Sequence, residues 1–501
     1  MAARRSRWQA FAGLVLLTLA GCDPVGRGVV VEPVPEPQLR KVQHPTRPVH
    51  WFPRALGPAA SGDFHCLAIA DFDGDGLPDL AAGGFDQRGI RVWLANGDGT
   101  WSAVEGPRHL GRPTSIAVGN VDNDPQGRPD IVVAGKAELP GIRVYRNVLD
   151  AKAQKATPGG WETAPPVTIT QSYLSVFLRD INKDGRLDIV AAREKNGGQG
   201  GIGVWFNRGE QGWSSDVGPK ASESYNDVAA ADFNGDGHLD LVAARWGNPG
   251  GLDIWYGNSR GSWTRAGEDP EIKLNYQGLD TGDFNGNGET DIVATSYRSD
   301  IGVCIFLNDR HPNDREPADR EAGWWSTPVR LADKGSFWDA RAVDLNGDGL
   351  LDVVATSFDG RGVRCWLQLP PEVEEGEPRP FVPRFQEQSW PFPHKGTYFA
   401  VDAADFNEDG RADVVGVTRD EGVKVWFQTA EANGRIAVSP RARSVPVETW
   451  RPRAFGEEDE APQEPKENYV FRTSVSEAGR EYAEYRIGPR DLLQVVIYPS
   501  R

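Results

Sequence analysis

Cysteine is scarce in this chain, with four residues among 501. Cys66, Cys304 and Cys365 stand far apart, an odd set without close spacing, which is a poor disulfide framework. They are expected as small buried side chains. Cys22 is a separate case. After the first two dozen residues no stretch approaches eighteen apolar residues, so no helix is expected to span a membrane. A basic stripe is missing too. Lys and Arg number 55 against 72 Asp and Glu, a formal net charge of −17, which argues against a nucleic-acid partner. Signatures of catalysis are also missing. There is no G-x-S-x-G, no H-E-x-x-H and no C-x-x-C, and the seven His are scattered. Gly197-Gly198-Gln199-Gly200-Gly201 reads as a hairpin tip, because no helix follows to make it a phosphate loop. An enzyme is therefore the less favoured class.

The start of the chain reads as a targeting segment. Arg4, Arg5 and Arg7 precede a short apolar run, Ala10 to Ala20. Leu19-Ala20-Gly21-Cys22 resembles a bacterial lipobox, in which the cysteine becomes the lipidated first residue. Residues 1–21 are thus expected as a lipoprotein signal peptide, with Cys22 as the lipidation site. Residues 22–48 are a Pro-rich tether. The expected location is a bacterial cell envelope, lipid-anchored and extracytoplasmic, in the inner or the outer membrane.

What the chain does contain is one acidic loop, written seven times. The first copy is Asp71-Phe-Asp73-Gly-Asp75-Gly-Leu77-Pro-Asp79. Oxygen-bearing side chains hold positions 1, 3, 5 and 9, position 6 is a glycine that permits a sharp turn, and position 7 offers its carbonyl. Ca²⁺ takes six to eight such oxygens. The second copy is irregular: Asn120, Asp122 and Asp124 are followed late by Asp130. The third has Asp180, Asn182, Asp184, Arg186 and Asp188. The fourth has Asp232, Asn234, Asp236, His238 and Asp240. The fifth has Asp283, Asn285, Asn287, Glu289 and Asp291, with an amide where position 5 is elsewhere an acid. The sixth has Asp344, Asn346, Asp348, Leu350 and Asp352, and the seventh Asp405, Asn407, Asp409, Arg411 and Asp413. About six calcium ions, or seven with the irregular copy filled, are expected. Polar turns without metal need one acid each, not several at fixed alternation. Without Arg4, Arg5 and Arg7 the chain carries −20, and six bound calcium ions would bring it to −8, so the loops account for much of the acidity.

Each loop lies between two short apolar runs, such as Cys66–Ala70 and Leu80–Ala82, which read as buried strands. A turn follows, then an alternating stretch ending in an aromatic, Ile90-Arg91-Val92-Trp93 in the first repeat. A polar hairpin leads to a strand opening with Trp101, and later with Trp161, Trp213, Trp263 and Trp325. Four strands per unit and seven units specify an all-β fold, a seven-bladed β-propeller of four-stranded antiparallel blades, over residues 49–450. The segment Val49–Leu56 is expected to close the ring as the outer strand of the last blade, with Ile436–Pro446 competing for that place.

The repeated D-x-[DN]-x-[DN]-G-x-x-D, followed each time by a strand, resembles the FG-GAP/VCBS repeats of integrin α propellers and many bacterial surface proteins. The resemblance covers roughly residues 49–447. It implies that each loop joins the first two strands of its blade, and that the domain serves binding or adhesion at a cell surface.

Counting six residues past each closing acid gives Phe85, Lys136, Glu194, Trp246, Tyr297, Phe358 and Arg419. These turns should ring the face opposite the loops. Phe85, Trp246, Tyr297 and Phe358 are the candidate ligand-binding residues for a protein or glycan partner, with Trp338 and Trp390 near the same face. The alternative function is a polysaccharide-directed lectin or lyase.

Residues 451–468 read as an acidic linker and 469–501 as a short C-terminal segment. Tyr485-Arg486-Ile487-Gly488-Pro489-Arg490-Asp491 is similar to the opening of bacterial polysaccharide export proteins, with Arg490 where that family has Gly.

Overall fold

The structure is a computed structural model. It describes residues 49–442 except 59–61, 86–88, 109–110, 137–138, 149–159, 259, 268–269, 271–273, 298–300, 310–324, 326–327, 333, 372–381, 389–391, 394, 420 and 433. It also describes three later strands. The signal segment, Cys22, the tether, Trp390 and the 451–468 linker lie outside the described residues.

Alternating apolar residues on strands of two to eight residues produce seven antiparallel sheets around one axis. The inner strands are Phe64–Ala70, Arg112–Gly119, Tyr173–Arg179, Ser224–Ala231, Tyr276–Gly282, Phe337–Val343 and Tyr398–Ala404. Each pairs with a second strand that begins at the closing acid of the loop, such as Asp79–Gly84 or Asp352–Ser357. Six sheets have four strands in sequence order. The seventh has three, and its ladder continues where Gln428–Thr429 pairs with His50–Trp51. Phe52 N–H donates to the Phe427 carbonyl, and Leu56 exchanges hydrogen bonds with Val425. The N-terminal segment therefore closes the ring, as its pattern predicts.

Residues 434–442 do not compete for that strand. They cross the junction of blades 7 and 1 at the loop end. Ser439 N–H donates to Gly97 O at 2.7 Å, and Asn407 Nδ2 donates to Ala437 O at 3.1 Å.

Two aromatic positions repeat. The ring ending strand three packs edge-on against a ring opening strand one, as in Phe64–Trp93 at 5.7 Å and Tyr225–Trp255 at 5.5 Å. The tryptophan after strand three packs on the second loop residue of the preceding blade, as in Trp161–Phe72 at 5.9 Å and Trp101–Phe406 at 5.3 Å. That packing corrects one expectation. Trp213 and Trp325 make only single bridges, to Asn207 and Asn308, and Trp263 precedes Thr264–Arg265. The fourth strands of blades 3 and 5 start later, at Lys220–Ala221 and Val329–Ala332. The indole at this position is held by the neighbouring blade, so it need not lie in the ladder.

Cys66, Cys304 and Cys365 are free and buried, as their spacing predicts. Among the described residues no helix is long and apolar enough to cross a membrane. By itself, the C-terminal part forms a three-stranded antiparallel sheet, Arg472–Val475, Glu481–Gly488 and Asp491–Val496.

Candidate functional site

The loops join strands one and two and share one hydrogen-bond scheme. In the first, Asp71 Oδ1 accepts from Gly74 and Asp75 N–H, and Oδ2 from Gly76 N–H at 2.8 Å. Asp73 Oδ1 accepts from Asp75 N–H, and Asp75 Oδ1 from Leu77 N–H. Positions 4 and 6 are left-handed, with φ of +78° at Gly74 and +88° at Gly76. Position 1 is satisfied the same way by Asp180, Asp232, Asp283, Asp344 and Asp405. In loop 1, oxygens of Asp71, Asp73 and Asp79 come within 4.8 Å of one another. In loop 1 the sequence-predicted acids are thus brought together; in the other loops the shared feature is the hydrogen-bond scheme around position 1.

The ninth-position acid does more than close a cage. Asp79 is fully buried, with Oδ2 accepting from Phe72 N–H and Oδ1 from Ala95 N–H, both at 2.8 Å. Asp130, Asp188, Asp240, Asp291, Asp352 and Asp413 each accept the same pair: the N–H of loop position 2 and an N–H at the end of strand three. One carboxylate ties three segments of a blade. Burial pushes these acids up, Asp79 and Asp352 to about 8 and Asp240 and Asp291 to about 7. Nearby loop acids push the same way and the two N–H donors oppose.

On the opposite face Trp246, Tyr297, Phe358 and Phe85 lie on one path of rings that inner-strand residues complete. Trp246 and Tyr297 stand 5.6 Å apart, Tyr297 and Phe358 5.8 Å, Phe358 and Trp338 5.2 Å, and Trp338 and Phe399 5.7 Å. His65 lies flat between Phe399 at 3.9 Å and Phe85 at 3.8 Å. Arg419 and Arg112 cap the rings of Phe399 and Phe85. The path of rings spans blades 4 to 7 and returns to blade 1. Trp246 is its exposed member, at 42%. Lys136 and Glu194, on blades 2 and 3, are half-buried and belong to the arc left without rings.

His65, Trp338 and Phe399 also line a cavity of about 530 Å³ bounded by all seven inner strands. Asp227, Asp280, Asp339 and Arg341 line it deeper in. Burial alone would lower Arg341, but Asp339, Asp402, Asp280 and Asp227 outweigh it and hold the guanidinium charged. Arg341 donates to Asp339 Oδ1 at 2.7 Å. The acids also bind backbone of the next blade: Asp227 Oδ2 accepts from Leu279 N–H, Asp280 Oδ2 from Ala342 N–H and Asp339 Oδ2 from Val401 N–H. His65 Nε2 bonds Asp63 Oδ1 at 2.8 Å, while burial holds the imidazole below its ordinary value.

Sequence reasoning missed His65, Phe399 and this charge cluster. A signal was available: Asp280, Arg341 and Asp402 each stand three residues before position 1 of a loop. Aligning the repeats on their inner strands rather than on the loops exposes it.

With this geometry in place, the family comparison agrees with the repeat reading. The chain belongs to the FG-GAP-like repeat family, whose profile matches residues 71–133, 180–243, 232–294, 283–355 and 344–416, so every loop falls inside a matched span. No curated protein matches the sequence. Among solved structures, the chain is similar to BBS1N, crystallised in complex with ARL6DN and soaked with lead. The identity is 14%, the TM-score 0.46, and the match covers 76% of this chain and 98% of that one. It is also similar to the Dos1 propeller, at 11% identity and TM-score 0.45 over 78% of this chain and 96% of that one.

Proposed function

We propose that this propeller is a calcium-stabilised, lipid-anchored scaffold of the bacterial cell envelope, extracytoplasmic, that docks a protein partner on the face opposite the loops. A propeller of FG-GAP-like repeats is a general binding scaffold. The observation that carries the choice of face is the path of rings from Trp246 to Phe85 at the mouth of the central cavity. Aromatic clusters bordered by arginine are the side chains that dominate protein interfaces.

The same geometry favours protein over glycan. A sugar-binding platform needs an open ring face, but Trp338 and Phe358 stack on each other and His65 is covered on both sides. Only Trp246 of these rings is exposed. A lectin or lyase is the second reading, and the export-like C-terminal segment is its motive.

Calcium fits the converging oxygens of the first loop, where the neighbouring acids raise desolvated Asp79 further. Its role there is to neutralise the loop; no open chemistry is routed through it.

The test uses the full chain and the triple variant Trp246→Ser, Tyr297→Ser, Phe358→Ser, after matching their thermal unfolding. A partner isolated from envelope extracts should be retained by the parent and lost by the variant; equal retention rejects the face. A glycan array run in parallel with Ca²⁺ and with EDTA decides the second reading, and selective binding in Ca²⁺ would establish it.

A further inference from the structure

Each inner strand slips register near its start, and a residue left out of the ladder there lines the central cavity. Blades 6, 7 and 1 place Trp338, Phe399 and His65 at this position. Blades 2 and 4 place Thr114 and Asn226, which are spent on the next blade. Thr114 Oγ1 donates to Tyr173 O at 2.6 Å, and Asn226 Nδ2 to Tyr276 O at 2.8 Å. Blade 5 places Gln277. It is 8% exposed, lines the cavity, and has no side-chain partner among the described residues. A buried amide in that state calls for a partner the protein does not supply.

The acids of the cavity have a structural duty. Asp227 and Asp339 each accept a backbone N–H of the next blade, and so staple blade to blade. That duty does not need a charge. In blade 2 the same position is Ser115, whose Oγ accepts the Val176 N–H at 3.2 Å. With Asp280, and with Asp402 acting on Arg341, the four acids exceed the two arginines that line the cavity, Arg341 and Arg179, by two charges (4 − 2).

The wall is polar on one side only. Phe177 holds in blade 3 the place that Arg341 holds in blade 6, three residues before position 1 of the loop, and it lines the cavity beside Ile116. The volume of about 530 Å³ falls within the range of small-molecule sites, about 300–1,000 Å³, and is far larger than one basic side chain requires.

We propose that the axial cavity binds a small organic cation, an ammonium or guanidinium group carried on a short apolar chain. The surplus acids and the Gln277 side-chain oxygen receive the charged head, and the Phe177 wall receives the chain. The rings of Trp338 and Phe399 add their attraction for a cation at the mouth. The backbone bonds that fix Asp227, Asp280 and Asp339 hold their charges in place before a ligand arrives, which lowers the cost of binding. The site depends neither on the calcium reading nor on a docked partner.

The test is isothermal titration calorimetry of the full chain with cadaverine, spermidine and agmatine. Ca²⁺ is kept in fixed excess to compete the amines off the acidic loops, and pentanediol is the uncharged control. One equivalent of at least one amine is expected, and no binding of the diol. Gln277→Leu should unfold at the parent's temperature, because its amide has no protein partner to lose. It should weaken the amine about tenfold, the worth of a hydrogen bond to a charged group. Gln277→Glu, which adds an acid, should tighten it. Failure of every amine to bind overturns the proposal. Equal binding of the diol overturns it too, as do amine affinities unchanged in both variants, which would place the amines elsewhere on the chain. If Gln277→Leu fails to fold, Gln277→Glu decides alone.

Discussion

Asn147 and Phe72 belong to adjacent blades, 75 residues apart, and the Asn147 side-chain amide donates to the Phe72 carbonyl at 2.9 Å. The bond is one link of a relay. Phe72 N–H is held by Asp79, and Asn147 N–H by Asp130. The same link is made by Asn207 to Val121 O, Asn308 to Phe233 O, Gln368 to Phe284 O and Gln428 to Leu345 O. It is interrupted twice. At blade 4 the donor position is Gly257, where a Cβ would lie 2.2 Å from Leu239 O. At the seam of blades 7 and 1, Asn96 turns to Thr100 Oγ1, and residues 434–442 bridge the gap instead.

Breaking one link should be costly because it strands a buried carbonyl. Asn147→Ala is expected to lower stability by about 1–3 kcal/mol, read as a lower urea midpoint. Gly257→Asn, which would complete the relay on paper, should instead destabilise, because its Cβ meets Leu239 O. A stable Gly257→Asn variant would show that the strand there has room the structure does not give it.

Arg341 stands among four axial acids, and its side chain is a third exposed. Arg341→Gln should cost about 3 kcal/mol, the lower end for breaking a buried ion pair. The loss should depend on pH. Burial and Asp339 raise Asp227 from 3.8 to about 6. Between those values the folded chain keeps a proton that the unfolded chain has released, so stability falls as pH rises through that window. Without Arg341, which holds Asp227, Asp280 and Asp402 down, the window reaches higher. Acidifying from about pH 7 to about pH 5 should therefore restore more stability to the variant than to the parent, measured by thermal unfolding. An equal response in both would remove Arg341 from the account of these acids.

Calcium withdrawal should act on the loops alone. At a free concentration 100-fold above Kd, each occupied site adds about 2.7 kcal/mol, so EDTA is expected to lower the unfolding temperature and excess Ca²⁺ to restore it. Unchanged unfolding in EDTA would mean that the backbone scheme of the loops suffices without a cation.

The loops, their number, the strand order and the closing N-terminal strand were legible in the sequence because each is written locally, as spacing or alternation. The relay was not. Whether Asn147 meets Phe72 depends on how blade 2 lies on blade 1, and no local pattern carries that. The closing acid was legible in every repeat, two residues late in the second, but misread in emphasis. Its oxygens are spent on Phe72 and Ala95 N–H, a role that shows only once strand three is seen returning to the loop. The aromatic face was half legible: Trp246, Tyr297 and Phe358 share a repeat position, whereas His65 and Phe399 come from inner strands and join them only in space.

The most direct test of the central claim is site-specific photocrosslinking of the full chain in cells that produce it. A benzoylphenylalanine is placed at Trp246 on the aromatic face, or at Glu210, an exposed residue on the hairpin after strand three at the loop end. The account predicts a discrete crosslinked species from position 246 and none from position 210. A partner captured at 210 and not at 246 would contradict it and move the docking surface to the face of the acidic loops.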